Sequence, residues 1–222
     1  LVAIIGSVAM HRYQRSRIAE GYFSQAENAR QNSNPEQEAN YLRRFLALEP
    51  NHALAKVRLG LAMAETARRT EELTDAYFLI QEALLSDPSL PPEIRRTSIL
   101  IALSAGQNLQ TEVLRDIELL LKVTPNDAEM LDYKAQCLVQ RGSHTDADKI
   151  FATAIQLDPT RLATYARRAS LLRNVLGRKE DADRLIEEMT VVNKSLPLAH
   201  ITAADYWQQA NHLNRAEECI HN

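Results

Sequence analysis

Apolar positions along this chain return at the spacing of helices rather than strands, and residues 131–159 show the arrangement most plainly. Leu131, Ala135 and Leu138 stand at i, i+4 and i+7 and so share one helical face, after which Arg141-Gly142-Ser143 supplies the glycine that ends a helix. Ala147, Phe151 and Ala154 repeat that spacing, and Pro159 closes the segment because a proline cannot continue a helix. Ala135 and Ala147 lack the bulk to hold two helices apart, while Phe151 fills the space beside their crossing. The pattern predicts a pair of antiparallel helices.

The pair recurs along the chain. Prolines at 50, 88, 125 and 159 close successive segments at spacings of 38, 37 and 34 residues. Residues 19–52 carry Ala26 and Ala29 on a first helix, a turn at Asn32-Ser33-Asn34-Pro35, then Leu42 and Phe45, with Glu38 where other units place alanine. Residues 53–90 carry Leu59-Gly60, then Ala76, Ile80 and Ala83, with four additional residues around 68–71. That extra length is expected in an exposed turn, where it costs little. Residues 91–127 put Ser98 and Val113 at two small-residue positions but keep Ile117 and Leu120. After the unit at 128–161, residues 162–196 bring Tyr165, Ala169 and Leu172, then Ala182, Ile186 and Met189, with Lys194 in place of the closing proline. A sixth unit, 197–222, places Ala204 and Ala216 twelve apart and is expected to stop inside its second helix.

This pattern resembles the tetratricopeptide repeat, whose signature runs W-x2-L-G-x2-Y, then A-x3-F, then P, over about 34 residues. Leu131, Ala135 and Leu138 fall at the W, G and Y positions, Ala147, Phe151 and Pro159 match A, F and P, and Lys134 replaces the signature leucine. The resemblance covers residues 19–222 and implies an all-α fold, a right-handed superhelical solenoid of helix-turn-helix repeats. It implies a non-catalytic scaffold that binds a peptide or protein partner in a concave groove. A docking or regulatory domain of a larger enzyme is the alternative, and a nucleic-acid-binding helical repeat a third.

In that family the groove is lined by the first helix of each unit at its second, fifth, ninth, twelfth and thirteenth positions. Here those positions bring in Leu54, Val57, Leu61 and Glu65, then Arg95, Ile99 and Leu103. The strip is largely apolar, with Arg58, Glu65 and Arg95 expected to orient a partner by charge. Either it lies open to a partner or a neighbouring helix packs on it. Further along the lining turns polar, with Asp132 and Gln136, then Ser170 and Asn174. The clamp by which some relatives hold chaperone tails is not reproduced, since the fifth positions are Phe23, Val57, Arg95, Asp132, Ala166 and Ile201.

Residues 1–10, LVAIIGSVAM, are apolar throughout and are followed by Arg12, Arg15 and Arg17. A bilayer span takes about 20 apolar residues, so this segment is expected to be the end of a membrane anchor with a basic flank. The chain is then a fragment of a membrane-anchored, bacterial kind of repeat protein, on a side of the membrane that one flank does not set. A signal-peptide core, which would leave a secreted or periplasmic chain, and an added helix packed on the first unit are the alternatives.

Composition narrows the remaining classes. A chain of 222 residues with 45% hydrophobic residues, six glycines and eight prolines suits a helical protein with a core. Its net charge of −3 supplies no field that would gather nucleic acid. Cys137 and Cys219 lack any ligand spacing and are expected to be buried thiols. There is no glycine-rich phosphate loop, no G-x-S-x-G and no H-E-x-x-H, and His200, His212 and His221 share no helical face. No enzyme activity, cofactor or metal is expected. Arginine doublets such as Arg95-Arg96 and Arg167-Arg168 are expected on solvated faces, because adjacent helical residues point about 100° apart.

Overall fold

The computed structural model describes the backbone of residues 2–106 and 109–221 and the side chains of 13–106 and 109–220. Among the described residues there are twelve α-helices and no strand. Two compact units divide at Asp116 and Ile117, inside α6 (Gln110–Val123). The first unit holds α1 (Val2–Gln31), α2 (Pro35–Leu48), α3 (Ala53–Thr66), α4 (Thr70–Ser86) and α5 (Pro92–Ala105). Each of these helices packs on the next, as the short connections require. The second unit holds α7 (Ala128–Gln140), α8 (His144–Leu157), α9 (Leu162–Ser170), α10 (Lys179–Val192), α11 (Pro197–Gln209) and α12 (Leu213–His221). There too neighbours in sequence pack together, and α9 also meets α11.

Local chemistry sets the helix ends. Asn34 accepts from the backbone N–H of Gln37 at 3.1 Å and Pro35 begins α2, so one orphan donor is satisfied and another never exists. Asp127 caps α7 in the same way, accepting from Met130 at 3.1 Å. At the other end of α7, Gly142 takes φ 79°, which lets the Ser143 N–H reach back to the Leu138 carbonyl at 2.9 Å. Between the helices the small positions are tightly used. A Cβ on Gly60 would stand 2.5 Å from Ile80 Cγ1 and 2.9 Å from the Ala76 carbonyl oxygen, so α3 and α4 touch through backbone there. Ala135, Ala147 and Phe151 are buried together with Leu171 in the second unit. Burying such a large apolar side chain contributes about 1.5–3 kcal/mol.

Four departures from the repeat pattern are absorbed differently from their appearance in the sequence. The extra residues near 68–71 do not swell a turn. They lengthen α4 to 17 residues against the 14 of α8. One residue more separates Ala169 from Ala182 than separates Ala135 from Ala147, and it is taken up by a π-helical turn, Leu171–Val175, that continues α9. Ser98, at a small-residue position, is fully buried but donates to the Arg95 carbonyl at 2.8 Å and accepts from Gln81 at 3.1 Å. Where Lys194 replaces the closing proline, the adjacent Asn193 is buried and its amide donates to the carbonyls of Pro159 and Met189, both at 3.0 Å.

The expected membrane localisation is overturned. Among the described residues no helix is long and apolar enough to cross a membrane, and the localisation built on such an anchor falls with it. α1 runs without interruption from Val2 to Gln31, carries the charged Arg15, Arg17, Glu20, Glu27 and Arg30, and buries Ala19, Ala26 and Ala29. The side chains of the ten apolar residues themselves lie outside the described residues.

Candidate functional site

In the first unit the expected apolar strip is not continuous. Val57 and Ile99 are 2% and 0% exposed, which makes them core side chains rather than accessible contacts. The reason is visible in α3, where Ala55, Lys56, Val57, Arg58, Leu59 and Gly60 are all buried. Six consecutive helical residues sweep every face, so this stretch is covered all round. Arg58 is likewise structural and not a free orienting charge. Its Nε and Nη2 donate to Glu38 Oε1 at 2.9 and 2.6 Å, its Nη1 donates to Glu27 Oε2 at 2.7 Å, and its guanidinium lies 5.2 Å from the Phe23 ring centroid. Glu38, the residue out of place in an alanine slot, is thereby paired.

What stays accessible in this unit is Leu54, Leu61 and Glu65, with Leu103 half-buried. Leu61 and Glu65 join Arg30, Asn34, Glu38 and Arg58 around a pocket of about 290 Å³. Arg95 instead turns to Asp116 at 3.4 Å. Asp116 is buried and also accepts from the Tyr77 hydroxyl at 2.7 Å and the Gln81 amide at 2.6 Å. Burial, reinforced by that carboxylate, pushes the Tyr77 hydroxyl far above its ordinary value.

In the second unit Asp132 is fully buried, while Gln136 is half-buried. Arg167 Nη1 and Gln136 Nε2 donate to Asp132 Oδ2 at 2.6 and 3.1 Å, while Oδ1 has no hydrogen-bond partner. Burial raises the Asp132 pKa against the opposing pull of Arg167 and Arg161. The doublet Arg167-Arg168 is therefore not a solvated face. Its neighbour Arg168 points elsewhere, donating from Nε to Asp148 Oδ1 at 2.7 Å, so each arginine ties α9 to a different helix.

Two adjoining pockets open along the first helices of three successive pairs. One, of about 300 Å³, lies between α7 and the α9 segment, with Phe151, Val139, Leu171 and Val175 as apolar wall and Gln136, Gln140 and Arg167 as polar rim. The other, of about 180 Å³, lies between that segment and α11, lined by Arg173, Asn174, Thr202, Asp205, Tyr206 and Gln209. Ser170 belongs to both, and the π turn that follows it supplies Leu171 and Val175 to the larger pocket and Arg173 and Asn174 to the smaller, which makes it their shared wall. Arg173 Nη1 donates to Asp183 Oδ1 at 2.7 Å and to the Tyr206 hydroxyl at 3.2 Å, and that hydroxyl donates to the same carboxylate at 2.5 Å. Burial first, and that hydrogen bond second, push the Tyr206 pKa up to about 12. Asn174 donates to Ser170 Oγ at 3.2 Å. Sequence position had singled out Gln136, Ser170 and Asn174 as groove-facing. It had not assigned Val175, Asp205 or Gln209.

No group of three His, Cys, Asp or Glu that could hold a metal occurs among the described residues. Both cysteines are free, but only Cys137 is buried, and Cys219 is partly exposed. Burial raises both thiols above the ordinary range.

Solved proteins share this fold. MamA 41-end from Desulfovibrio magneticus RS-1 matches 80% of this chain and 96% of its own with TM-score 0.65 at 15% identity. YrrB, described as a TPR protein with an unusual peptide-binding site, matches 80% of this chain and 88% of its own with TM-score 0.65 at 16% identity. A tetratricopeptide repeat protein from Parabacteroides merdae ATCC 43184 matches 91% of this chain and 77% of its own with TM-score 0.69 at 16% identity. No family profile and no curated protein sequence matches the chain. At these identities the likeness is one of fold: the helix pairs build the all-α solenoid of tetratricopeptide-repeat proteins.

Proposed function

We propose that this chain is a protein-interaction scaffold, binding rather than catalytic, and that its ligand-holding surface is the pair of pockets in the second unit, which take an extended peptide segment. The observation that carries this reading is the set of i, i+4 polar pairs presented by three successive first helices: Gln136 with Gln140, Ser170 with Asn174, and Asp205 with Gln209. A peptide backbone offers one donor and one acceptor per residue, and a carboxamide side chain supplies both complements at once. Polar side chains repeated at the interval of the helix pairs thus suit a main chain running across them more than a compact ligand. The likeness to YrrB, whose description includes a peptide-binding site, supports the same class of partner.

In this reading the helix pairs are six repeats bounded at residues 52, 90, 127, 161 and 196, and residues 1–18 extend the first. Leu54, Leu61 and Glu65 are the accessible part of the first unit's surface and offer it a separate, smaller contact. Fluorescence anisotropy on the full chain with an array of labelled twelve-residue peptides tests the proposal. Gln140→Ala combined with Asn174→Ala is expected to abolish binding of whichever peptides bind, with far-UV circular dichroism unchanged. Binding that survives the double substitution would overturn the assignment of this surface.

A further inference from the structure

Resting on that reading, we infer that the segment bound by the second unit carries an apolar residue and a basic residue a few positions apart, the first seated against Val139 and Val175 and the second beside Asp205. The two pockets are chemically unlike. In the larger one the only charged lining residue is Arg167, and its charge is already met by the buried Asp132 at 2.6 Å. Beside the uncharged Gln136, Gln140 and Ser170, the rest of its lining is apolar. Phe151 and Leu171 form a floor that is 1% and 3% exposed, and Val175 stands at the rim 49% exposed, an apolar side chain that an occupant would cover.

The smaller pocket has two charged lining residues, and only one is compensated. Arg173 is held by Asp183 at 2.7 Å and lies 5.6 Å from the Tyr206 ring centroid. Asp205 is exposed and makes no ion pair or hydrogen bond with the described residues. The pocket therefore presents one unbalanced negative charge among hydroxyls and amides, which complements a lysine or arginine side chain and opposes an acidic one. Neighbouring helices lie about 8–10 Å apart, so the two seats are separated by roughly three residues of extended chain at about 3.3 Å each.

The π turn gives this pairing its geometry. It is the wall common to both pockets, and it presents Asn174 and Val175 as consecutive residues, both exposed, one to each pocket. This helix pair is one residue longer between its small positions than the pair before it, the π turn takes up that residue, and such turns are frequent at functional sites.

The test uses the full chain and capped, labelled twelve-residue peptides on a Gly/Ser background carrying Leu and Lys two, three or four positions apart, with Lys→Glu and Leu→Ser versions of each. One Leu/Lys spacing is expected to bind more tightly than the plain Gly/Ser peptide, and its Lys→Glu version to bind about fivefold more weakly or worse. Asp205→Asn should erase that difference, Asp205→Lys should reverse it, and Val175→Ser should shrink the contribution of the leucine. Equal binding of the Lys and Glu peptides, or discrimination that persists in Asp205→Asn, overturns the inference. If the plain Gly/Ser peptide binds as well as any and loses affinity in the Gln140→Ala, Asn174→Ala protein, backbone recognition stands while this inference falls. If none of the peptides binds, both fall.

Discussion

Replacing Arg58 by leucine asks whether Glu38 can occupy an alanine slot only because an arginine opposes it. The two side chains are 7% and 9% exposed, and Arg58 makes two of its three ionic hydrogen bonds to Glu38 Oε1. Arg58→Leu leaves that carboxylate buried without its cation, and breaking a buried pair from one side costs about 3–5 kcal/mol. Glu38→Ala is milder. Arg58 then keeps Glu27, whose side chain is 43% exposed, and the Phe23 ring, so the loss is that of one charge-assisted bond, about 1.5–3 kcal/mol. The double variant places alanine where Ala76, Ala147 and Ala182 stand in other repeats, each 0% exposed, and removes both buried charges. Substituting a buried pair by apolar groups is neutral to stabilising in many proteins, so the double variant should melt near wild type. With a double variant near wild type, the coupling equals the sum of the two single losses, about 4.5–8 kcal/mol. Urea unfolding followed by far-UV circular dichroism gives all four free energies. Additivity within about 0.5 kcal/mol would refute the buried-pair account.

Gly60→Ala gains about 1 kcal/mol of helix propensity, but its Cβ would meet Ile80 Cγ1 at 2.5 Å and the Ala76 carbonyl oxygen at 2.9 Å. Overpacking costs about 1–3 kcal/mol, so a net loss is expected in thermal melts, and a raised Tm would contradict the close approach of α3 and α4. Phe151→Ala empties a side chain that is 1% exposed and should cost about 3–5 kcal/mol in urea unfolding; wild-type stability would mean that α7 and α8 do not pack around it. Asp132 has a folded pKa raised by burial above the ordinary 3.8, so the folded chain takes up the proton before the unfolded one as pH falls. Its contribution to stability should therefore rise on acidification through the raised value and level off below the ordinary one, and the stability difference between wild type and Asp132→Asn should grow in that direction. A pH-independent difference would sink that assignment.

Helix pairs were legible in the chain because their spacing is imposed at the crossing, where Ala135, Ala147 and Phe151 answer to close packing and little else is tolerated. Accessibility was less legible. A periodic position says which way a side chain faces along its own helix, but Val57 and Ile99 are buried by what lies across from them, and Arg58 meets Glu38 and Glu27 at separations of 20 and 31 residues. The apolar run at residues 1–10 invited a membrane reading because a bilayer and a packed helix face both select apolar residues, and its side chains lie outside those described. Departures from the pattern were the informative positions, because each needs a partner to be tolerable. Glu38 has Arg58, Ser98 has Gln81, and the missing proline near Lys194 has Asn193 fastening the turn. The π turn departs in another manner: its extra residue could be counted between Ala169 and Ala182, but a count does not say which helix absorbs it or where. The other three departures are satisfied within the packed helices and serve stability. Only the π turn carries its irregularity to a surface with two pockets, and there it sets Asn174 and Val175 outward with room for an occupant between them and their neighbours. The surplus near 68–71 is also held inside a helix, so retention alone marks no site, and it is the two adjoining pockets that make the π turn the centre of the proposed surface.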